Sequence, residues 1–248
     1  MAGAAEPAGA AEAGAAVAAG APAAPRVWLR VLNWNVRGLR DDVDALARTI
    51  RGTAPHVVVL QEAPRVLRWR ARAAQLARRC GLVVVRGGGD ASGNLVLASL
   101  AVTVRETAVV RLPFTRFQHP RAAVVVRGAL AGAPFTVVGV HLGLTGPERA
   151  AHVPVLLDAV PGDEPTVVAG DVNETADGPA WRALTERLVD VGADDPTPTF
   201  STRSPRRRID ALFVSPGVPA RGYQVLDTPE VTRASDHRPL VAEFGLTR

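Results

Sequence analysis

From Val27 onward, apolar residues come in short blocks separated by polar, glycine or proline breaks. Continuous or alternating runs rich in Val and Leu predict strands at Val27–Val36, His56–Leu60, Leu82–Val85, Asn94–Leu100 and Val102–Leu112. Arg121–Leu130 and Pro134–Leu142 form a further pair, joined by Ala131-Gly132-Ala133, a hairpin signal. Thr166–Ala169, Arg208–Ser215, Arg221–Leu226 and Leu240–Phe244 close the series. Helical spacing predicts Asp41–Arg51, with Asp41 or Asp42 placed to cap it. It also predicts Arg65–Cys80, Glu148–Val160 with a break or bend near Pro154, and a short helix Pro179–Leu188. In the second of these, Trp69, Ala73, Leu76 and Cys80 share one face, and Arg65, Arg68, Arg72 and Arg79 another.

Strands outnumber helices, and hairpins outnumber βαβ crossovers. That pattern points to packed mixed sheets with helices outside. A dinucleotide fold is disfavoured, because Gly87-Gly88-Gly89 follows a strand without leading into a helix. Residues 1–25 are nearly all Ala, Gly, Pro and Glu, with Val17 the only branched apolar residue. Such a stretch buries too little surface to offset its ordering entropy, so a disordered tail is expected there. Residues 26–248 are then expected to form one folded domain. The tail lacks the basic and Leu-rich regions of a signal peptide, and no apolar run is long enough to span a bilayer. A cytoplasmic monomer without stable membrane insertion is the expectation.

Composition changes this picture only slightly. The chain has 248 residues, 47% of them hydrophobic, which is ordinary for a soluble domain with a full core. Its net charge of +5 is carried entirely by arginine, since lysine is absent. Basicity favours acidic partners. An Ala-, Arg-, Gly- and Pro-rich composition of this kind also follows from GC-rich codon usage, so charge alone decides little. Cys80 is the only cysteine, which excludes an intramolecular disulfide and a cysteine-based zinc site.

The chemistry lies in polar residues placed where apolar strands end or begin. Asn35, Glu62, His141, Asp171 and Asn173 follow apolar runs, and Asp210, Asp236 and His237 precede them. Singly, each reads as a turn or packing residue. Together they form a set of hard oxygen ligands of the kind Mg²⁺ prefers, with His–Asp pairs suited to proton transfer. Metal-assisted hydrolysis of a phosphoester is the chemistry that this set of residues suits.

Five motifs carry a resemblance. Asn33-Trp34-Asn35-Val36, Gln61-Glu62, Gly170-Asp171-Val172-Asn173, Arg208-Ile209-Asp210 and Ser235-Asp236-His237-Arg238-Pro239 resemble the endonuclease/exonuclease/phosphatase superfamily, in that family's order. The resemblance implies a DNase I-like α/β fold, a four-layer α/β/β/α sandwich of two packed mixed sheets. It also implies roles for single residues. Glu62 and Asn35 match the metal-coordinating pair, with Asp236 as a further acid near the metal, which would be Mg²⁺ or Mn²⁺. Asp171 and Asn173 match the pair that positions water and phosphate. His237 matches the active-site histidine, Asp210 the carboxylate that orients it, and His141 a second histidine that contacts phosphate. Arg121 lies where several members place a phosphate-facing arginine.

The implied function is divalent-metal-dependent hydrolysis of phosphoesters by in-line water attack. A phosphodiesterase or nuclease acting on DNA or RNA comes first, and an enzyme for small-molecule or lipid-headgroup phosphoesters is the alternative. Two arginine groups favour the former, one on Arg65–Arg79 and one at Arg203, Arg206, Arg207 and Arg208, expected at the active-site rim. The short loops and few aromatics count against it, and no amphipathic anchor is evident to support lipids.

Overall fold

The computed structural model describes residues 27–247. The expected tail, residues 1–25, lies outside the described residues. Two six-stranded sheets form the core of the molecule. One contains β1 (Val27–Asn35), β2 (Val57–Gln61), β3 (Val83–Gly87), β4 (Leu95–Ala98), β11 (Ala220–Val225) and β12 (Leu240–Leu246), in the order β11-β12-β1-β2-β4-β3. The other contains β5 (Val102–Arg111), β6 (Ala122–Leu130), β7 (Ala133–His141), β8 (Thr166–Asp171), β9 (Val189–Asp190) and β10 (Asp210–Val214), in the order β5-β6-β7-β8-β10-β9. Each sheet is mixed: β1–β2 and β7–β8 pair in parallel, and all other neighbours are antiparallel.

Three apolar clusters explain the layering. Leu29, Val31, Val57 and Val59 pack with Phe135, Val137, Val167 and Leu212 between the sheets. The alternate positions Leu32, Trp34, Val58 and Leu60 face outward under α1 (Val43–Thr53), α2 (Trp69–Cys80) and α5 (Pro229–Ala234). Val138, Val140, Val168 and Phe213 do the same under α3 (Gly146–Asp158) and α4 (Pro179–Thr185). The result is the four-layer α/β/β/α sandwich. The sheets approach so closely at Gly139 that a Cβ there would lie 2.7 Å from Val59 Cγ1. Gly88 and Gly89 are likewise packing positions, because a Cβ on either would meet the Trp69 ring at 2.6 Å.

Local chemistry sets the element ends. Asp42 caps α1, accepting from the amides of Asp44 and Ala45. Thr145 and Glu148 form a reciprocal capping box on α3, which continues through Pro154 instead of breaking there. The hairpin β6–β7 turns through Ala131 and Gly132, both at positive φ (49° and 84°), as a two-residue primed turn requires. The predicted helix over Arg65–Cys80 starts four residues late, because Leu67 and Arg68 sit at φ 32° and 57° and end any helical path before Trp69. Arg65 and Arg68 therefore belong to a loop. Among the described residues, no helix is long and apolar enough to cross a membrane.

Candidate active site

In β1, Leu29 and Val31 face the inter-sheet core, and period-two alternation carries Asn33 and Asn35 along the same face. The same parity runs from Phe135 and Val137 to His141 on β7, and from Val167 and Ala169 to Asp171 on β8. On β10 it runs back from Leu212 to Asp210. Strand register then lines these ends up. His141 pairs with Asp171, and Asp171 with Asp210, across one sheet. Asn35 pairs with Gln61 across the other. Core positions thus turn polar together at one edge of the sandwich.

Contacts converge on the Asp171 carboxylate, which is buried. Its Oδ2 accepts from Asn35 Nδ2 (3.0 Å) and lies 3.3 Å from His141 Nε2 and 3.9 Å from His237 Nε2. Its Oδ1 accepts from the amide of Asn173 (2.9 Å), which holds Asn173 at φ 55°. The Asn173 side chain donates to the Leu142 carbonyl (3.0 Å). Asn35 Nδ2 also reaches Glu62 Oε1 (3.2 Å). Glu62 sits at φ 54°, just past β2, and is exposed.

His237 is held from several sides. Its Nδ1 bonds Asp210 Oδ2 (2.9 Å), and its backbone carbonyl accepts from Trp34 Nε1 (2.7 Å). Ser235 Oγ ties the segment to β1, donating to Asn35 O (2.6 Å) and accepting from the His237 amide (3.3 Å). The Phe200 ring packs against the imidazole at 4.7 Å. Thr199 Oγ1 accepts from the amides of Ile209 and Asp210. These supporting residues went unread: Thr199 and Phe200 lie in a Pro-rich stretch without periodicity, and Ser235 offered only its place beside Asp236-His237.

The two histidines titrate in opposite directions. Burial pushes His141 down to about 3, against the pull of Asp171. Burial also opposes charge on His237. There the charge and hydrogen bond of Asp210, with Asp171 and Asp236 behind them, outweigh it and lift the imidazole to about 9. Burial holds the Arg121 guanidinium below its usual range, although Asp171 and Glu62 draw it upward.

An open cleft of about 730 Å³ lies over this cluster, lined by Glu62, Arg121, His141, Asp171, Asn173, Asp236 and His237. Asn35 lies beneath it. Asp236 is paired with Arg37 Nε at 3.3 Å. Arg40, Arg65, Arg72 and Arg207 also line the cleft, and none has an ion-pair partner among the described residues. Arg208 does not join them. Its guanidinium is tied to Asp190 (2.7 Å) and stacks over Trp181, and its side chain is 9% exposed. Of the four arginines expected at the rim, only Arg207 lines the cleft.

Two acid-rich groupings compete as the place for a cation. Asp171, Asp210 and His237 offer atoms within 4.8 Å of one another. There, however, Asp210 Oδ2 is already bonded to His237 Nδ1, and the whole group is buried. Glu62 is better suited: it is exposed and lines the cleft, and among the described residues the Asn35 amide is its only side-chain hydrogen-bond partner. A carboxylate and an amide with Asp236 near them make a hard-oxygen donor set that fits Mg²⁺.

A model of the Endonuclease/Exonuclease/phosphatase family matches residues 32–237. The chain belongs to that family. It is therefore a phosphoesterase of the hydrolytic kind, and the sandwich is the family fold. Solved structures agree on the fold. One is an endonuclease/exonuclease/phosphatase from Bacteroides vulgatus, 17% identical, covering 90% of this chain and 100% of its own, with a TM-score of 0.76. The mannosyl-6-phosphatase Bt3783 of Bacteroides thetaiotaomicron is 17% identical over 87% of this chain and 99% of its own, with a TM-score of 0.73. The TDP2 of D. rerio, complexed with single strand DNA product, is 20% identical over 88% and 99%, with a TM-score of 0.71. At such identities the likeness speaks for the fold alone. Among curated proteins, none matches the chain in sequence.

Proposed function

We propose that this protein is a Mg²⁺-dependent phosphodiesterase, with Mn²⁺ as a substitute metal, acting by in-line attack of water. The observation that carries the reading is the convergence of Asn35, His141 and His237 on the single carboxylate of Asp171, with Glu62 beside them. Glu62 and Asn35, with Asp236 nearby, would hold the ion. When bound, it supplies positive charge that polarises a phosphoryl oxygen and steadies the leaving oxygen.

The remaining residues divide the work. Asp171 accepts the proton of the attacking water, since it is the carboxylate at the centre of the contacts. Asp210 fixes the His237 ring through Nδ1, leaving Nε2 toward Asp171 and the cleft. His237, charged at neutral pH, steadies oxygens on which charge develops. His141, kept neutral by burial, binds a further oxygen with Asn173 and Arg121. An open cleft of about 730 Å³ leaves room for a group on each side of a bound phosphorus, which favours a diester over a monoester.

The test is hydrolysis of soluble chromogenic phosphodiesters and monoesters with Mg²⁺, with Mn²⁺ and with EDTA. Turnover of the diester should require metal and vanish in chelator. Full turnover in excess EDTA would remove the metal from the mechanism, and faster turnover of monoesters would overturn the diester class. Natural anionic diesters are to be tried next, nucleic acid first and lipid headgroups as the alternative, because Arg40, Arg65, Arg72, Arg121 and Arg207 line the cleft without ion-pair partners among the described residues. A nuclease that used these arginines would lose kcat/KM steeply with salt.

A further inference from the structure

Three loops border the cleft, residues 62–68, 112–121 and 142–145. Together they carry large apolar side chains that are left mostly exposed: Val66, Leu67 (86% exposed), Phe114, Phe117 (87% exposed, with the Arg116 guanidinium over its ring) and Leu144. Val66 and Leu144 line the cleft itself, as do His119 and Arg121 from the same loop as the two phenylalanines. Apart from Glu62 at the base of the site, these loops contain no carboxylate. They do contain Arg65, Arg68 and Arg116, all exposed.

Leu67 and Phe117 sit at the left-handed φ values of 32° and 68°. Bulky residues seldom adopt that conformation, and here it gains no burial for either side chain within the fold. Apolar side chains at the mouth, flanked by cations, match a surface that is anionic outside and hydrocarbon just beneath. Single-stranded nucleic acid would satisfy the arginines, but it stacks its bases on aromatic faces. Three of the five exposed side chains, Val66, Leu67 and Leu144, have no such face.

We infer that the mouth of the cleft docks on an anionic lipid bilayer, with Leu67 and Phe117 entering the interface and Arg65, Arg68 and Arg116 meeting the headgroups. Joined to the hydrolase reading, on which this step rests, it makes a lipid-headgroup phosphoester the substrate class.

The experiment uses the full chain in EDTA, so that binding is read without turnover. Co-sedimentation with vesicles of phosphatidylcholine alone is compared with vesicles of equal parts phosphatidylcholine and phosphatidylglycerol. Binding should be about tenfold or more tighter to the anionic vesicles. Leu67→Ser with Phe117→Ser should weaken it by about tenfold or more, since interfacial affinity scales with buried apolar area. That variant should keep its Tm and its metal-dependent hydrolysis of a soluble diester. Arg65→Gln with Arg68→Gln and Arg116→Gln should abolish the preference for anionic vesicles. Cys80 is the only native cysteine and is buried. A polarity-sensitive dye on Phe117→Cys should therefore report insertion by a blue shift when anionic vesicles are added. Absence of vesicle binding, binding untouched by the Leu67/Phe117 double variant, or capture of single-stranded DNA by these loops in place of vesicles would overturn the proposal. Each of these results leaves the soluble diester assay, and with it the hydrolase reading, standing or falling on its own.

Discussion

The charge on His237 offers a direct thermodynamic test. The side chain is 7% exposed and bonded to Asp210 Oδ2 at 2.9 Å. Although burial opposes the charge, Asp210, Asp171 and Asp236 raise the folded-state pKa to about 9 from 6.5. Below pH 6.5 both the folded and unfolded chains hold the proton, so the stabilisation is fully present. Between 6.5 and 9 only the folded chain holds it, so stability falls as pH rises and the contribution is lost through pH 9. The gap of about 2.5 in pKa, at about 1.36 kcal/mol for each, corresponds to roughly 3 kcal/mol. The assay is denaturant unfolding in EDTA at pH 6.5 and pH 9.5, for the wild type and His237→Gln. The wild type should lose about 3 kcal/mol more than the variant between the two conditions. Groups that titrate in both proteins cancel in that difference. Parallel stability profiles would show that His237 is neutral in the fold, and its role as a charged stabiliser would fail with it.

The acid side should mirror this. Burial holds His141 near 3, so the unfolded chain takes up a proton below 6.5 that the folded chain refuses, and stability should fall as pH drops from 6.5 toward 3, less steeply in His141→Gln. His237→Ala and Asp171→Ala should each lower kcat on a soluble diester by roughly 10²–10⁴-fold, with folding checked by circular dichroism. Arg208→Ala should act on stability, lowering it by about 1–3 kcal/mol in denaturant unfolding, because the half-buried Asp190 carboxylate would lose its counter-charge and keep only the neutral donors Trp181 Nε1 and the Gly192 amide. Arg207→Ala should leave Tm nearly unchanged and raise KM for an anionic substrate. Gly139→Ala should cost about 1–3 kcal/mol in thermal unfolding, because its methyl would press on Val59 across the two sheets.

The parts of the site that were legible in the sequence share one physical property. Asn35, His141, Asp171 and Asp210 each stand at the end of an apolar alternation that the core also requires. The pattern that marks a strand marks its polar end as well. Side chains joined by distance alone left no such trace. Arg208 stood among four arginines with the same local appearance, and only the approach of Asp190 and Trp181 makes it structural. The start of α2 was misplaced because Leu67 and Arg68 are ordinary helix formers by propensity, overridden by their tertiary setting. The short helix α5 has one turn and a half of pattern, too little to separate from a loop.

The same contrast explains why chemistry was easier to read than substrate. A slip of β8 against β7 by one residue would turn Asp171, Val167 and Ala169 together from the layer between the sheets to the layer under α3 and α4, and would disrupt the packing of both layers. The placement of these polar positions is therefore tied to the register that buries the core. Leu67 and Phe117 are under no such constraint. Their loops could hold polar residues without loss to the core, since neither side chain packs on it. Exposed apolar side chains at strained backbone positions, beside the cleft that Glu62, His141, Asp171 and His237 line, thus stand apart from what folding demands. The substrate preference of this enzyme is to be sought in those loops, and variants at Leu67 and Phe117 should shift specificity while leaving hydrolysis of a soluble diester intact.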